Sequence, residues 1–475
     1  MNTKKIISIK NIRNNPVLNS SFWTIFGYGL SQLFRLIGNL ILTKLLMPEM
    51  FGIMAIVNVL VTGVQMFSDI GLGPSIIQSK RGEEADFINT AWTLQILRGF
   101  AIWLFVSVVA VGLWFANRYG YINQDQVYGH PLLPWLLVVV GSSSVISGFN
   151  STAIFVSNRT LALGRITVIN LLSQVIGLCA IIYFAWLKQS IWALAVGTIV
   201  TSLVYMVLSH KFLPGAVNKL CWDKTAVKDL IKFGKWIFLT TAIGFVANQG
   251  DRLLLGSYLT PEMLGVYSIA FMLSNLPASI VSALSHKVIF PSASRIYRDH
   301  PERLKETFVK SKKWLALFFM SLTGILIGLS QNIIDLLYDE RYSDAGWMME
   351  ILLLRVATSC MLIPNSIVMM AKGLPIFSTI SAVLKAFFIF VTLPLSFHHF
   401  GVKGMIIMIG ISGLIDAPVL WYALIKHKLF SLSVELYSLI LLFCGYALGW
   451  LISNFDSLDL FIMSNKLYKQ LIQYL

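Results

Sequence analysis

Acidic residues are scarce in this chain: 22 Asp and Glu stand against 37 Lys and Arg in 475 residues, and charged residues of all kinds make up only 12%. Soluble domains carry about 25% charged residues, so a water-facing surface of ordinary extent is excluded. Cysteine is sparse too. Cys179, Cys221, Cys360 and Cys444 lie far apart, three of them in apolar segments, and no CxxC pair or Cys/His group is present. That spacing excludes a zinc-type metal site and leaves the thiols as packing residues. His398-His399 has no cysteine or carboxylate cluster nearby and points to no metal either. A Walker lysine motif, a GxSxG motif and a long exterior segment are all missing, and the longest outer loop, 117–130, is too small to house a catalytic site. ATP hydrolysis within the chain is not expected, and neither is a cofactor.

Apolar sequence is abundant, with 56% hydrophobic residues and a mean hydropathy of +0.74. The apolar runs reach about 20 residues or more, enough for a helix to cross a hydrocarbon core of about 30 Å, whereas barrel strands would alternate over about 10 residues. The expected fold is an all-α integral membrane protein. Spans are expected at 22–46, 50–78, 89–116, 131–155, 162–186, 191–213, 231–258, 263–289, 313–338, 347–371, 374–397, 401–425 and 434–453. The tail 456–475 is apolar but interrupted by Asn465, Lys466, Lys469 and Gln470, and reads as a poor fourteenth span or an interfacial helix.

A formal net charge of +15 raises the question of nucleic acid, but the cations sit in short loops between spans. One side of the membrane collects the Lys and Arg of the N-terminal arm (Lys4, Lys5, Lys10, Arg13) and of 79–88, 157–165, 211–235, 295–313, 371–373 and 426–428; the other holds only Lys44, Arg118, Lys188, Arg341 and Lys403. This asymmetry is the positive-inside pattern. It places the N-terminus in the cytoplasm and removes the case for a nucleic-acid partner. The arm leads into a long first span without a short h-region or small-residue cleavage site, so it reads as an uncleaved anchor. Trp103, Trp114, Trp135, Trp186 and Trp192 fall near span ends as interfacial anchors.

The chain repeats itself. Leu42–Leu60 and Leu255–Leu273 share eight of nineteen residues, including Pro48-Glu49-Met50 and Pro261-Glu262-Met263 in a Pro-Glu-Met-x-Gly turn. The turn joins the first span to the second and the seventh to the eighth. Six spans lie between the copies, an even number, so the repeat is parallel and predicts two six-helix lobes with a site at their interface. The expected division is 1–213 for the first lobe, 214–230 for a basic cytoplasmic linker, 231–428 for the second lobe and 429–475 for one or two additional C-terminal helices.

Charge inside the spans is the most informative feature. A charged side chain at the bilayer centre costs about 2.5–3.5 kcal/mol on insertion scales, so it normally faces a protein interior or a watery pathway. On the first helix Tyr28, Gln32, Arg35 and Asn39 share one face, and the repeat aligns them with Thr241, Phe245, Asn248 and Arg252. One lobe carries Arg then Asn, the other Asn then Arg. With both stripes at the lobe interface they form a cationic cleft suited to an anion, because guanidinium binds phosphate bidentately. The bland alternative is an arginine paired within its own lobe, Arg252 with Asp251. The second helix adds Asn58, Thr62, Gln65 and Asp69, and the eighth Asn275, Ser279, Ser282 and His286, either lining the cleft or bonding helix to helix. Arg355 and Lys385 are further candidates for an anionic substrate, Lys385 alternatively snorkelling to an interface. Coupling to H⁺ or Na⁺ would need an embedded carboxylate, and Asp69, Asp251 and Asp416 are the candidates. Pro277, Pro364, Pro394 and Pro418 fall inside spans, as kinks or as static irregularities.

Phe67-Ser68-Asp69-Ile70-Gly71-Leu72, then Ser75-Ile76-Ile77-Gln78, together with Asp251-Arg252-Leu253-Leu254-Leu255-Gly256 and Val288-Ile289-Phe290-Pro291 followed by Arg303-Leu304, resemble the bacterial polysaccharide transporters. These are the O-antigen and exopolysaccharide flippases of the MATE-like multidrug/oligosaccharidyl-lipid/polysaccharide exporter superfamily. The resemblance covers roughly residues 20–430. It implies a V-shaped, two-lobed transporter of the bacterial inner membrane that moves a polyprenyl-pyrophosphate-linked oligosaccharide from the cytoplasmic to the periplasmic leaflet by alternating access. It further implies cationic cavity residues for the pyrophosphate and acidic sugars, here Arg35 and Arg252 with Asn39 and Asn248 beside them, then Arg355 and Lys385. Implied partners are the lipid-linked oligosaccharide, membrane lipids, and polysaccharide polymerase and export proteins. A drug or metabolite exporter of the same architecture is the alternative, disfavoured by the excess of embedded bases. A membrane glycan polymerase or ligase is a third reading, disfavoured by the lack of a large periplasmic loop.

Overall fold

The computed structural model describes residues 16–69, 71–160, 162–215 and 217–454. The N-terminal arm with Lys4, Lys5, Lys10 and Arg13, and the tail 456–475, lie outside the described residues. Among the described residues the chain is helical, without strands. Among the described residues, eight helical stretches are long and apolar enough to cross a membrane, and ten if two bent pairs each count as one span. One of the eight, Ile376–Lys426, holds two of the expected spans, and helices also occupy the expected spans at 22–46 and 231–258.

The chain packs into two compact units that divide after Phe245. The first contains α1 (Pro16–Leu45), α2 (Pro48–Phe67), α3 (Leu72–Gln78), α4 (Ala85–Arg118), α5 (Leu133–Gly148), α6 (Ala153–Arg159), α7 (Leu163–Lys188), α8 (Trp192–Phe212) and the first part of α9 (Lys224–Gly256). The second takes the rest of α9, then α10 (Pro261–Ser274), α11 (Leu276–Leu284), α12 (Phe290–Asp299), α13 (Leu304–Leu315), α14 (Ser321–Gly328), α15 (Ser330–Leu337), α16 (Ala345–Ala371), α17 (Ile376–Ile411), α18 (Asp416–Lys426) and α19 (Leu432–Ser453).

The division falls inside α9 rather than at a linker over 214–230, and packing explains why. Ala226 and Leu230 on α9 are buried against Leu72, Ile76, Phe87 and Ala91 of the first unit. Farther along α9, Thr241 Oγ1 donates to the carbonyl of Met66 at 3.1 Å and Phe245 meets Phe67 edge to face. The 219–223 segment is also fastened to α4, with the amides of Lys219, Cys221 and Asp223 donating to Asn89, Thr93 and Thr90 side chains.

Both copies of the Pro-Glu-Met turn start a helix in the same way. Pro48 and Pro261 occupy the first turn of α2 and α10, where a missing N–H costs nothing, and Glu49 and Glu262 complement the helix dipole. Several expected single spans are broken. The span 50–78 is interrupted at Ser68–Gly71, where Gly71 takes φ +61. The span 131–155 bends by 63° between α5 and α6, and α10 meets α11 at a 43° bend beside Pro277. Within α17, Gly401 at φ 60, ψ −150 separates two helices, a conformation open in practice only to glycine. In the second unit α16 is the most enclosed of the candidate spans.

Candidate functional site

The second unit encloses a cavity of about 440 Å³ walled by α9, α10, α11, α16, α17 and α18. Two cations and one anion line it: Arg355, Lys385 and Asp416. Serine hydroxyls from three different helices, among them Ser279, Ser359, Ser366 and Ser381, supply neutral donors and acceptors, and Phe271 adds an aromatic face. Asn275, Ser279 and Ser282, read from sequence as a polar stripe, lie on this wall, and so does Asn248. The wall carries charged groups of both signs together with many hydroxyl and amide groups, which suits a polar ligand rich in hydroxyls.

The ionisable side chains are paired across the fold. Asp251 is 1% exposed, and its carboxylate accepts from Arg355 Nη1 at 2.9 Å and from the Tyr267 hydroxyl at 3.4 Å. Asp251 therefore pairs with Arg355, 104 residues away, not with the side chain of Arg252 as the bland reading had it. Adjacent residues on a helix point in different directions, so their side chains part company. Arg252 lies over the Phe271 ring at 4.0 Å, with Nη1 reaching Gln249 at 3.3 Å. Arg355 approaches the same ring at 5.6 Å. Phe271 thus lines the cavity while holding two guanidinium groups, and Arg252 itself is not part of the lining. The buried Nε of Arg252 has no hydrogen-bond partner among the described residues.

Lys385 does not snorkel: it is buried, and its Nζ lies 3.4 Å from the Asp416 carboxylate, which also accepts from Ser381 Oγ. Asp416 is where a span is interrupted, between a short 3₁₀ turn over Ser412–Ile415 and α18.

In the first unit Arg35 is exposed on α1 and Asn39 half-buried one turn on. Neither lines a cavity of the first unit, also about 440 Å³, which is bounded instead by α2, α3, α4, α5, α6 and α8. Asp69 lies on its wall, 3.8 Å from Arg98 Nη1, and accepts from the Gly71 amide at 2.9 Å. Of the charged residues lining the two cavities, Arg98 is the one not singled out from the sequence. Its signal was an arginine alone in the apolar run 89–116.

A family model described as polysaccharide biosynthesis protein matches residues 41–346. The chain is 22% identical over 318 residues to the teichuronic acid biosynthesis protein TuaB of Bacillus subtilis (strain 168), covering 65% of this chain and 62% of that one, less than two thirds of its length. It is 21% identical over 443 residues to the lipopolysaccharide biosynthesis protein WzxC of Escherichia coli (strain K12), covering 90% of this chain and 85% of that one. Among solved structures, the lipid II flippase MurJ in its inward closed conformation has the same fold, with a TM-score of 0.68 and 15% identity over 96% of this chain and 100% of that one.

Proposed function

Because this chain belongs to the polysaccharide biosynthesis protein family, we propose that it is a flippase for a lipid-linked oligosaccharide. The cargo in this reading is a polyprenyl-pyrophosphate-linked repeat unit of a surface polysaccharide, carried from the cytoplasmic to the periplasmic leaflet of the inner membrane by alternating access. The observation that carries it is the second-unit cavity, where Arg355 and Lys385 stand among serine hydroxyls and one aromatic ring. A pyrophosphate and several sugars cannot enter hydrocarbon unaided, because each lost hydrogen bond to water costs several kcal/mol, roughly 2–7 per group. A wet cavity with fixed donors replaces that water, and its cations match the phosphate charge.

Within this reading Lys385 and Arg355 hold phosphate or acidic sugars, and Arg35, Asn39, Asn248 and Arg252 are further contacts along the path. Asp69, Asp251 and Asp416 are the carboxylates available for H⁺ or Na⁺ coupling, and Asp416 is the one that shares the cavity wall with both cations. The N-terminus is cytoplasmic, and polysaccharide polymerase and export proteins are the partners that such a product would meet.

The test replaces Lys385 by Ala, and separately Arg35 and Arg252 together by Ala, in a strain whose surface glycan depends on this protein. Loss of surface glycan with accumulation of the lipid-linked unit on the cytoplasmic leaflet, at unchanged protein level in the membrane, is the expected result. Normal glycan export by both variants would overturn the reading.

A further inference from the structure

The cavity of the first unit has fewer charged groups on its lining than its counterpart, one cation and one anion against two cations and one anion. Its volume of about 440 Å³ falls within the range of about 300–1,000 Å³ seen for ligand sites. Two spans are broken at its wall, at Ser68–Gly71 and between Gly148 and Ala153. Non-helical backbone within a membrane is tolerated only where protein buries it or where it borders a watery cavity, and breaks of this kind recur at transporter binding sites.

Both breaks are tied to one face of α4. Gln95 and Arg98 stand three residues apart, on the same side of the helix. Gln95 Nε2 donates to the carbonyls of Ser147, Gly148 and Asn150 at 3.2, 2.9 and 3.1 Å. Arg98 Nη2 donates to the carbonyl of Gln65 at 2.6 Å and Nε to Ser68 Oγ at 3.2 Å. The approach is backbone to backbone, since a Cβ on Gly99 would stand 2.6 Å from the Ser144 carbonyl oxygen. The carbonyls of Gln65, Ser147, Gly148 and Asn150 at the two breaks are therefore satisfied by side chains.

The lining holds one cation and one anion, Arg98 and Asp69, 3.8 Å apart. They compensate each other, so this hollow presents no net charge to a ligand. The other polar groups on its wall are neutral amides and hydroxyls, with Phe155 and Tyr205 as rings. Asn150 Oδ1 is buried and accepts no hydrogen bond among the described residues. Amides and hydroxyls that both donate and accept, beside aromatic faces, match the ring hydroxyls and C–H faces of an uncharged sugar.

We propose that the first-unit cavity is a saccharide site that takes an uncharged sugar ring, separate from the Arg355 and Lys385 cavity of the second unit. It rests on the flippase reading only for the source of that sugar, the oligosaccharide head of the cargo.

Saturation-transfer NMR on the purified full chain tests it, with methyl glucoside, methyl galactoside and N-acetylglucosamine as neutral probes; inorganic pyrophosphate, which has no protons to receive saturation, is the anion probe and is read by ³¹P line broadening. Transfer to at least one neutral sugar is expected, lost in Ser147→Leu, which fills the hollow, and kept in Lys385→Ala. Pyrophosphate should behave in the opposite way. Should Ser147→Leu not fold, Ser147→Cys supplies the same answer: its maleimide labelling, in excess of the unsubstituted chain, is expected to slow in the presence of the bound sugar. No transfer to any neutral sugar, transfer that survives Ser147→Leu, or a Ser147→Cys thiol indifferent to sugar would each overturn the proposal. Neutral-sugar binding without any pyrophosphate binding would leave it standing while removing the anion-gripping role of the second cavity.

Discussion

Lys312 on α13 and Glu435 on α19 form an ion pair with both side chains almost wholly buried, 4% and 6% exposed, and Lys312 Nζ also donates to Asn365 Oδ1 at 2.8 Å. The pair fastens the last described helix to the second unit. Glu435 Oε2 and Asn365 Nδ2 remain without partners among the described residues, so the cluster is not fully satisfied. Removing one member of such a pair strands a buried charge and costs about 3–5 kcal/mol, while replacing both with apolar residues is often neutral or stabilising. Lys312→Ala and Glu435→Ala are each expected to lower the melting temperature in detergent, and Lys312→Met/Glu435→Leu to recover most of the loss. Melting curves of the three variants check this, and a double variant as unstable as the singles would contradict it.

The same helix is seated by glycines. Gly324 and Gly328 on α14 face Gly445 and Gly449 on α19, a small-xxx-small pattern on both partners. A Cβ on Gly324 would collide with the Leu442 carbonyl, and one on Gly328 would stand 2.6 Å from the Trp450 amide nitrogen. Membrane helices associate through such close backbone approach. Gly324→Leu and Gly445→Leu are expected to force the helices apart, at about 1–3 kcal/mol or more for overpacking. The check is proteolytic release of the segment after Lys428 from the detergent-solubilised variants under conditions where the unsubstituted chain stays intact.

Legibility in the sequence followed the range of the interaction. Apolar run length reveals the spans, since each must cover the hydrocarbon core alone, and the Pro48 and Pro261 turns show the repeat because both copies solve the same local problem at a helix start. Of the two stripes that helical spacing groups, Gln65 and Asp69 line the first-unit cavity and Asn275, Ser279 and Ser282 the second-unit one, while Asn58, Thr62 and His286 line neither. What escapes is pairing across the fold. Asp251 looks spoken for by its neighbour Arg252, yet its partner is Arg355 on α16, and nothing local in the sequence joins Lys312 to Glu435, 123 residues apart. The break at Ser68–Gly71 is equally hidden, because Arg98, which caps it, lies 30 residues on in another span.

Outside the membrane spans, Asp223 anchors the segment entering α9. Hydrogen bonds from Thr225, then from Arg81, hold its carboxyl at a pKa of about 2, below the usual 3.8, and Arg81 is raised in turn by Glu84 and Asp223. A depressed carboxylate pKa gives stability that is complete above the ordinary value and fades as pH falls through the folded one. The clasp is therefore intact from neutral pH to near 4 and loosens between about 4 and 2. The Thr225 and Ala226 amides donate to this carboxylate at 2.9 and 3.3 Å. Hydrogen exchange, corrected for intrinsic rates, should accelerate at those two amides across that interval and in Asp223→Asn at pH 7. The Lys219 and Cys221 amides, held by Asn89 and Thr93, should stay protected in Asp223→Asn.

Arg355 has two duties that one substitution confounds. It neutralises Asp251 at 2.9 Å, and it lines the second-unit cavity where Asp251 does not. Arg355→Ala leaves an unpaired buried carboxylate and is expected to cost about 3–5 kcal/mol, so loss of glycan export by that variant alone says nothing of cargo. Asp251→Ala/Arg355→Ala removes both charges and should regain most of the stability, read as melting temperature in detergent. If Arg355 grips the anionic part of the cargo, the stable double variant still fails to export glycan. If the pair only holds α9 to α16, export returns with stability. Measuring both quantities on the same three variants separates the two roles, and recovery of export in the double variant would leave Lys385 as the cavity's sole remaining cation for the cargo.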